Sequence, residues 1–449
     1  MTRMGRAVAR LAVSAMVPGL LVATAAAQPL TADRAVQLAL QNSSQVVLAR
    51  ANVLDARAGT YSAWSGVLPR VTASLTRTGS LTENEPGVRT FGTFVVPTPE
   101  RQEGYSTTPQ IGASWSVLNL SALTGLSSAR GDLRAAELRR TATRQDVALT
   151  ARRQFYDVVT AIQIANVNTE AARLARDDER RVRALFEVGS VSRSDLLRAQ
   201  VRTAQSELDS LTARHAITVQ RIALANLLGV QESALGEIDT LLTAEPREYV
   251  EADLLAEARR SRPDLQAADA SVRAARSGVT SARFRRLPYV TLSGTAQFKP
   301  TASSLTTAGD STFASRSESE RDYFASVALN VDLFNGFATE AGNAAARAQL
   351  LRAEDARDVL QRNLAGEVHE ALLAYREAVE RDRVARRALE SATETVKLTQ
   401  QKYNVGSATI LELIDAQVEL QRARSQQVSA LAAIRVAEAA LERVRGRAE

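Results

Sequence analysis

The chain has 449 residues, only 4% of them aromatic and none of them cysteine, and 56 basic against 50 acidic side chains leave a net charge of +6. So few aromatics suit closely packed long helices better than a bulky globular core, and the absence of cysteine excludes disulfides, a lipidated cysteine and thiol catalysis. The positive excess is spread along the chain, without the basic block or stacking aromatics that a nucleic-acid surface needs.

In chain order, residues 1–27 open with basic MTRMGRAVAR, continue with apolar LAVSAMVPGLLVATAAA and end on Ala25-Ala26-Ala27. This is the pattern of a cleaved secretory signal peptide; the apolar run is short and interrupted by Pro18, which argues against a membrane anchor. Residues 31–66 carry a helical pattern that Leu68-Pro69 ends, because proline lacks the amide and disfavours helix in the residue before it. Val71, Ala73 and Leu75 then alternate with Thr72, Ser74 and Thr76, and Ile111, Ala113, Trp115 and Val117 alternate with small or polar residues. Strands are expected over about 68–78 and 109–119, with a Gly, Pro, Ser and Thr-rich loop over 79–108. Two long helices, about 121–187 and 191–229, complete a first structural repeat, 28–229, and residues 230–250 form a connector.

The second repeat, 251–449, follows the same order: a helix, strands over about 288–298 and 323–334 around a polar loop, and long helices over about 337–404 and 408–446. LPRV at 68–71 lies 219 residues before LPYV at 287–290, Ile111 lies 216 before Val327, and Gly189 with Gly406, Gln200 with Gln417, and Gly229 with Gly446 are each 217 apart. So constant an offset marks a duplication of a whole half, far longer than a solenoid period.

The four strands of roughly ten residues have the length a tilted membrane strand needs. The bland reading is two soluble hairpins, which alternation alone does not distinguish. An isolated hairpin is marginal in water, and four strands cannot close a barrel; a trimer would supply twelve and remove the exposed edges. In the last helix Leu413, Ala416, Leu420, Ala423, Gln427, Ala430, Ile434, Ala437, Leu441 and Val444 keep 3,4 spacing, a coiled-coil seam. The helix over 191–229 shows one seam through Leu197, Val201, Ala204, Leu208, Leu211, His215, Thr218, Ile222 and Ala225 and another through Leu196, Ala199, Ile217, Leu224 and Leu227, as suits a rod flanked on both sides.

The duplication, LPRV and LPYV at the helix-to-strand changes, LFNG at 333–336 and the paired VGS elements together resemble the TolC family of outer-membrane efflux channels. The resemblance covers essentially the whole mature chain. It implies a mainly helical protein with a membrane β-barrel: a homotrimer, twelve strands from three chains, and a long α-helical tunnel in the periplasm. It further implies a passive exit duct of a tripartite efflux or type I secretion system. The partners so implied are a periplasmic adaptor protein, an inner-membrane transporter of RND, ABC or MFS type, and outer-membrane lipid, with no cofactor.

By the same resemblance Gly189 and Gly406 sit at two periplasmic tip turns, with Val188, Ser190, Val405 and Ser407 forming the surface an adaptor meets. Glycine suits such turns because it accepts positive φ, and a plain helix cap is the competing explanation. Glu412 and Asp415 match tunnel-facing carboxylates that threefold symmetry would turn into acidic rings at the entrance. Thr409-x-x-Glu412 and Ser192-x-x-Asp195 also have capping-box spacing, so both acids have a local use as well. Tyr403 and Asp195 match one tip latch, and Ser194 the acceptor of a second whose basic partner is replaced by Ala408.

Enzymatic readings fare poorly. His215 and His369 stand alone in helical patterns, and no phosphate loop or catalytic triad is present. The competing class is an exported periplasmic coiled-coil adaptor or scaffold without a pore, which fractionation separates from a heat-resistant outer-membrane trimer.

Overall fold

The computed structural model describes residues 29–83, 85, 87–98, 101–306 and 312–447; the expected signal peptide lies outside the described residues. The first half contributes α1 (Ala32–Asn42), α2 (Ser44–Ser65), strands β1 (Arg70–Glu83), β2 (Gly87–Phe91), β3 (Phe94–Thr98) and β4 (Arg101–Ser116), then α3 (Leu120–Glu187) and α4 (Arg193–Leu228). The second contributes α5 (Glu251–Ser261), α6 (Pro263–Phe284), β5 (Tyr289–Thr306), β6 (Thr312–Asn330), α7 (Ala338–Asn404) and α8 (Ile410–Arg445). At about 1.5 Å per residue, the 68 residues of α3 and the 67 of α7 make rods of roughly 100 Å.

The single helix expected over 31–66 is two. Ser43 adopts φ −59°, ψ 132°, and in the second half Arg262 adopts φ −63°, ψ 119°. Pro263 explains the second break, since it pushes the preceding residue out of the helical region. At Ser43 the same backbone forms without a proline, so nothing in the local pattern announced it.

Strands β1, β4, β5 and β6 form one antiparallel sheet in that order, so the central β4–β5 ladder joins the two halves. The strands run 14 to 19 residues, well past the expected ends near 78, 109 and 298, and the loop over 79–108 contains the additional β2–β3 hairpin. Thr, Ser and Gly carry no apolar alternation there. The ladder nevertheless continues, Thr78 opposite Ser106 and Ser80 opposite Gly104, because each added pair satisfies backbone groups that a loop would leave to water. At its other end β6 stops at Asn330 rather than 334, and the chain turns into α7 through Gly336 and Phe337, both at positive φ. One face of the sheet carries the apolar row: Ala73, Ile111, Ala296 and Tyr323 lie in register across all four strands, and Val71, Leu75, Val327 and Leu329 on the same face are exposed.

Away from the sheet, α3 packs with α4, and α7 with α8, as two antiparallel pairs that meet along α3 and α8. Their interiors repeat. Val147, Ala151, Phe155 and Leu224 anchor one core with α1, and Leu364, Val368, Leu372 and Leu441, each 217 residues on, anchor the other with α5. Each pair ends on a left-handed glycine, Gly229 (φ 65°) or Gly446 (φ 79°), pressed against the last residue of α1, Asn42, or of α5, Ser261.

The α8 seam is buried as expected, apart from half-buried Gln427. On α4 the seam through Leu196, Ala199, Ile217, Leu224 and Leu227 faces α3 and is buried or half-buried. The other seam lies open from Leu197 to Ile222, Leu197 being 50% exposed, Val201 70%, Leu208 55% and Leu211 65%, with His215 exposed beside them rather than enclosed in a layer; only its last member, Ala225, is buried, in the core with α1.

Candidate functional site at the helical tip

Both helix pairs turn at the end remote from the sheet, and the two turns have one geometry. In the first, the Gly189 amide donates to the Phe186 carbonyl at 2.9 Å and the Ser190 amide to the Leu185 carbonyl at 2.8 Å. In the second, Gly406 donates to Tyr403 at 3.0 Å and Ser407 to Lys402 at 2.9 Å. These are Schellman closures, in which the residue at C′ must be left-handed. Gly189 (φ 76°) and Gly406 (φ 75°) supply it, and an added Cβ would meet nothing within 4 Å at either position. The glycines therefore serve backbone conformation rather than close packing within the chain. Val188 and Val405 project from the turns, 74% and 78% exposed, and Ser190 and Ser407 are exposed beside them.

The helix starts that follow separate the two acids that sequence spacing had equated. Ser192 and Asp195 close a complete capping box on α4: the Asp195 amide donates to Ser192 Oγ at 3.2 Å and the Ser192 amide to Asp195 Oδ2 at 3.3 Å. Ser194 Oγ lies 2.7 Å from Ser192 Oγ, so it belongs to the same local network. On α8 the Glu412 amide donates to Thr409 Oγ1 at 3.3 Å, but the carboxylate does not return to the cap. Both Glu412 and Asp415 are exposed.

Between the turns lies a recess of about 730 Å³ lined by Arg181, Asp195, Arg198, Tyr403, Ala408 and Ile410, among others. Val182, Ala199, Ile410 and Leu413 pack beneath it and join the two helix pairs. Tyr403 lines the recess, but its hydroxyl is buried and has no hydrogen-bond partner, so the expected bond to Asp195 is not made within the chain. The reason is local: Asp195 is engaged by Ser192 and lies 3.7 Å from Arg198. Burial pushes the Tyr403 phenol up; Arg181 opposes this, and Asp178 and Asp195 reinforce it.

The polar links that do cross between the helix pairs were not anticipated. Gln417 Nε2 donates to buried Asp178 Oδ2 at 2.7 Å, Gln421 Nε2 to Asn168 Oδ1 at 2.9 Å, and Arg202 Nη2 to Gln421 Oε1 at 2.8 Å. The available signal was the repeated Gln200 and Gln417, polar residues beside an otherwise apolar seam. Among the described residues no cluster of acids and histidines could hold a metal ion, and His369 Nδ1 lies 3.2 Å from Glu251 on α5. No helix among them is long and apolar enough to cross a membrane.

Comparison with known proteins gives one consistent answer. The family profile described as "Outer membrane efflux protein" matches residues 35–230 and 254–447, one segment in each half. The chain is 26% identical over 312 residues to Outer membrane protein TolC of Vibrio cholerae, covering 68% of this chain and 69% of that one. It is 25% identical over 284 residues to Nodulation protein T of Rhizobium leguminosarum bv. trifolii, covering 60% of this chain and 55% of that one. In structure it is similar to the Campylobacter jejuni CmeC outer membrane channel, with TM-score 0.76, 18% identity and coverage of 93% and 86%. It is also similar to the outer membrane protein VceC of Vibrio cholerae, with TM-score 0.73, 18% identity and coverage of 92% and 96%. Proteins of this family are trimeric outer-membrane channels that work with adaptors and inner-membrane transporters. With a four-stranded sheet at one end, two helical rods of about 100 Å behind it, each paired with a shorter helix, and the family profile matched across both halves, the chain belongs to the outer membrane efflux protein family, the TolC-type channels of the outer membrane.

Proposed function

We propose that three copies of this chain close one passive exit duct, sealed along the open α4 seam and through the free edges of β1 and β6, and that its tip docks a periplasmic adaptor. The observation that carries this reading is a sheet with an apolar, exposed face and, among the described residues, two unpaired edge strands, joined to a helix whose second apolar seam has no cover in the chain. Such edges and stripes are stable only when another surface takes them. Three chains give twelve strands and put both helix pairs into a continuous wall.

At the tip, Val188, Gly189 and Ser190 with Val405, Gly406 and Ser407 offer the adaptor the same backbone twice per chain, so six quasi-equivalent turns suit a six-membered adaptor ring. Glu412 and Asp415, exposed at the start of α8, form the acidic entrance rings and favour cations. Tyr403, with Asp195 and Ser194, belongs to the tip latch, its hydroxyl, buried and unbonded in the isolated chain, gaining a partner only when the assembled tip rearranges. The pump that drives transport, of RND, ABC or MFS type, is a separate chain.

The test is reconstitution. The purified protein in a planar bilayer should give discrete, cation-preferring conductance, and Val188→Asp with Val405→Asp should abolish cross-linking to the co-purified adaptor while leaving conductance intact. A protein that fractionates as a soluble periplasmic monomer would overturn the duct. Undiminished adaptor cross-linking in the double variant would overturn the docking surface.

A further inference from the structure

About three turns above the tip, at roughly 3.6 residues per turn, all four long helices of one chain surround a second recess of about 120 Å³. Its apolar wall includes Ala171, Leu174 and Leu420, and its charged lining consists of two guanidinium groups, Arg202 from α4 and Arg424 from α8. No carboxylate lines it.

The hydrogen bonds around Arg202 are incomplete. Its Nη2 donates to Gln421 Oε1, whereas its Nε is buried and has no hydrogen-bond partner. The Nε needs an acceptor: Gln421 Oε1 already accepts from Nη2, and among the described residues neither Gln417 Oε1 nor Gln400 Oε1 accepts from the Nε. Burial pulls the Arg202 guanidinium down from its usual range, and Asp209 offsets this only from a distance. Arg424 makes no ion pair among the described residues, though its charge is felt by Glu170.

Two cations on one small apolar-walled recess, with a donor left over, are costly unless a negative charge sits between them. A water molecule would satisfy the Nε but bring no negative charge into the recess, since Asp209 and Glu170, the acids that act on Arg202 and Arg424, lie outside its lining. The volume is ample for one small ion, since a water occupies about 30 Å³ of liquid. We propose that this recess binds a small monovalent anion of the halide or nitrate class, held by Arg202 Nε and the Arg424 guanidinium. Bound there, the anion ties α4 of the first helix pair to α8 of the second, and so holds the two pairs in register above the tip. The site lies within one chain and stands independently of the trimer and adaptor proposals.

The experiment uses the full protein in detergent with bromide as the probe. Melting is followed in sodium bromide and in sodium gluconate at equal ionic strength, and crystals grown in bromide are examined by anomalous scattering. The expected result is a bromide peak in the recess and a saturable rise in melting temperature on the order of 2 °C over gluconate. Arg202→Gln, which keeps a donor toward Gln421, should fold and lose that rise, as should Arg424→Gln if the first variant proves unstable. An ordered water in place of bromide would overturn the proposal, as would a bromide-dependent rise that persists in both variants.

Discussion

Replacing Leu208 and Leu211 together by glutamate tests the subunit seam most directly. Both side chains lie on the open face of α4, 55% and 65% exposed in the isolated chain, so neither supports the fold of that chain to any large extent. Full burial of a leucine contributes ~1.5–3 kcal/mol. Covering the part still exposed is therefore worth roughly 1–2 kcal/mol per side chain, gained again at each of three seams. A carboxylate placed there adds an uncompensated charge in a dry contact, which costs several kcal/mol more at each seam. The double variant should thus keep its helical circular dichroism but fall from trimer to monomer in detergent, as measured by light scattering, and lose heat resistance on gels. Leu241→Glu, on the exposed connector outside the seam, is the control and should remain trimeric. If the double variant ran as a trimer with the wild-type melting point, this face of α4 would not be a subunit contact.

Three further outcomes follow from the geometry. Gly406→Ala should cost roughly 1–2 kcal/mol in thermal unfolding, the strain of a left-handed alanine in open space. Gly446→Ala should cost about 1–3 kcal/mol beyond that, because its Cβ would lie 2.8 Å from the Ser261 carbonyl carbon and oxygen. Thr409→Ala should destabilise by about 1 kcal/mol through the lost cap, whereas Glu412→Gln should leave stability unchanged. Combined with Asp415→Asn, Glu412→Gln should shift the reversal potential in a salt gradient toward non-selectivity; an unmoved potential would remove both acids from the entrance. Finally, Asp264 is desolvated, yet the Arg262 hydrogen bonds and charge and the Leu265 amide hold its carboxyl below the usual range. A carboxyl depressed by folding stabilises the protein above its unfolded pKa of about 3.9, and that stability is lost as pH falls through the folded value. Wild-type melting should therefore fall on acidification through about pH 4 and below, and Asp264→Asn should melt lower at neutral pH with a flatter acid limb.

What the sequence disclosed was whatever repeats or alternates. The 217-residue spacing carries over to the cores, where Val147, Ala151 and Phe155 stand where Leu364, Val368 and Leu372 stand in the other half. The outer lengths of β1 and β4 were hidden because Thr78, Ser80, Gly104 and Ser106 bury nothing that sequence periodicity can register; only the ladder between them makes them strand. Ser43 breaks its helix without a proline. At the tip, the backbone of both turns was legible from VGS, but the side-chain pairing was not. Whether Asp195 meets Tyr403 or its own cap is decided by packing between helices 208 residues apart, and the cap is the nearer partner.

That choice explains why a duplicated tip need not have duplicated chemistry. The two Schellman turns impose one backbone on both copies and leave the flanking positions free to differ. In the first copy Asp195 is consumed by the capping box, and Phe186 and Arg198 stand where the second copy has Tyr403 and Asp415. In the second copy Thr409 caps α8 alone, which releases Glu412 and leaves it exposed on α8 with Asp415. Ala408 offers no charge across to the first pair. Within the chain the two pairs are instead held by apolar contact among Val182, Ala199, Ile410 and Leu413, and by the Asp178–Gln417 bond just above.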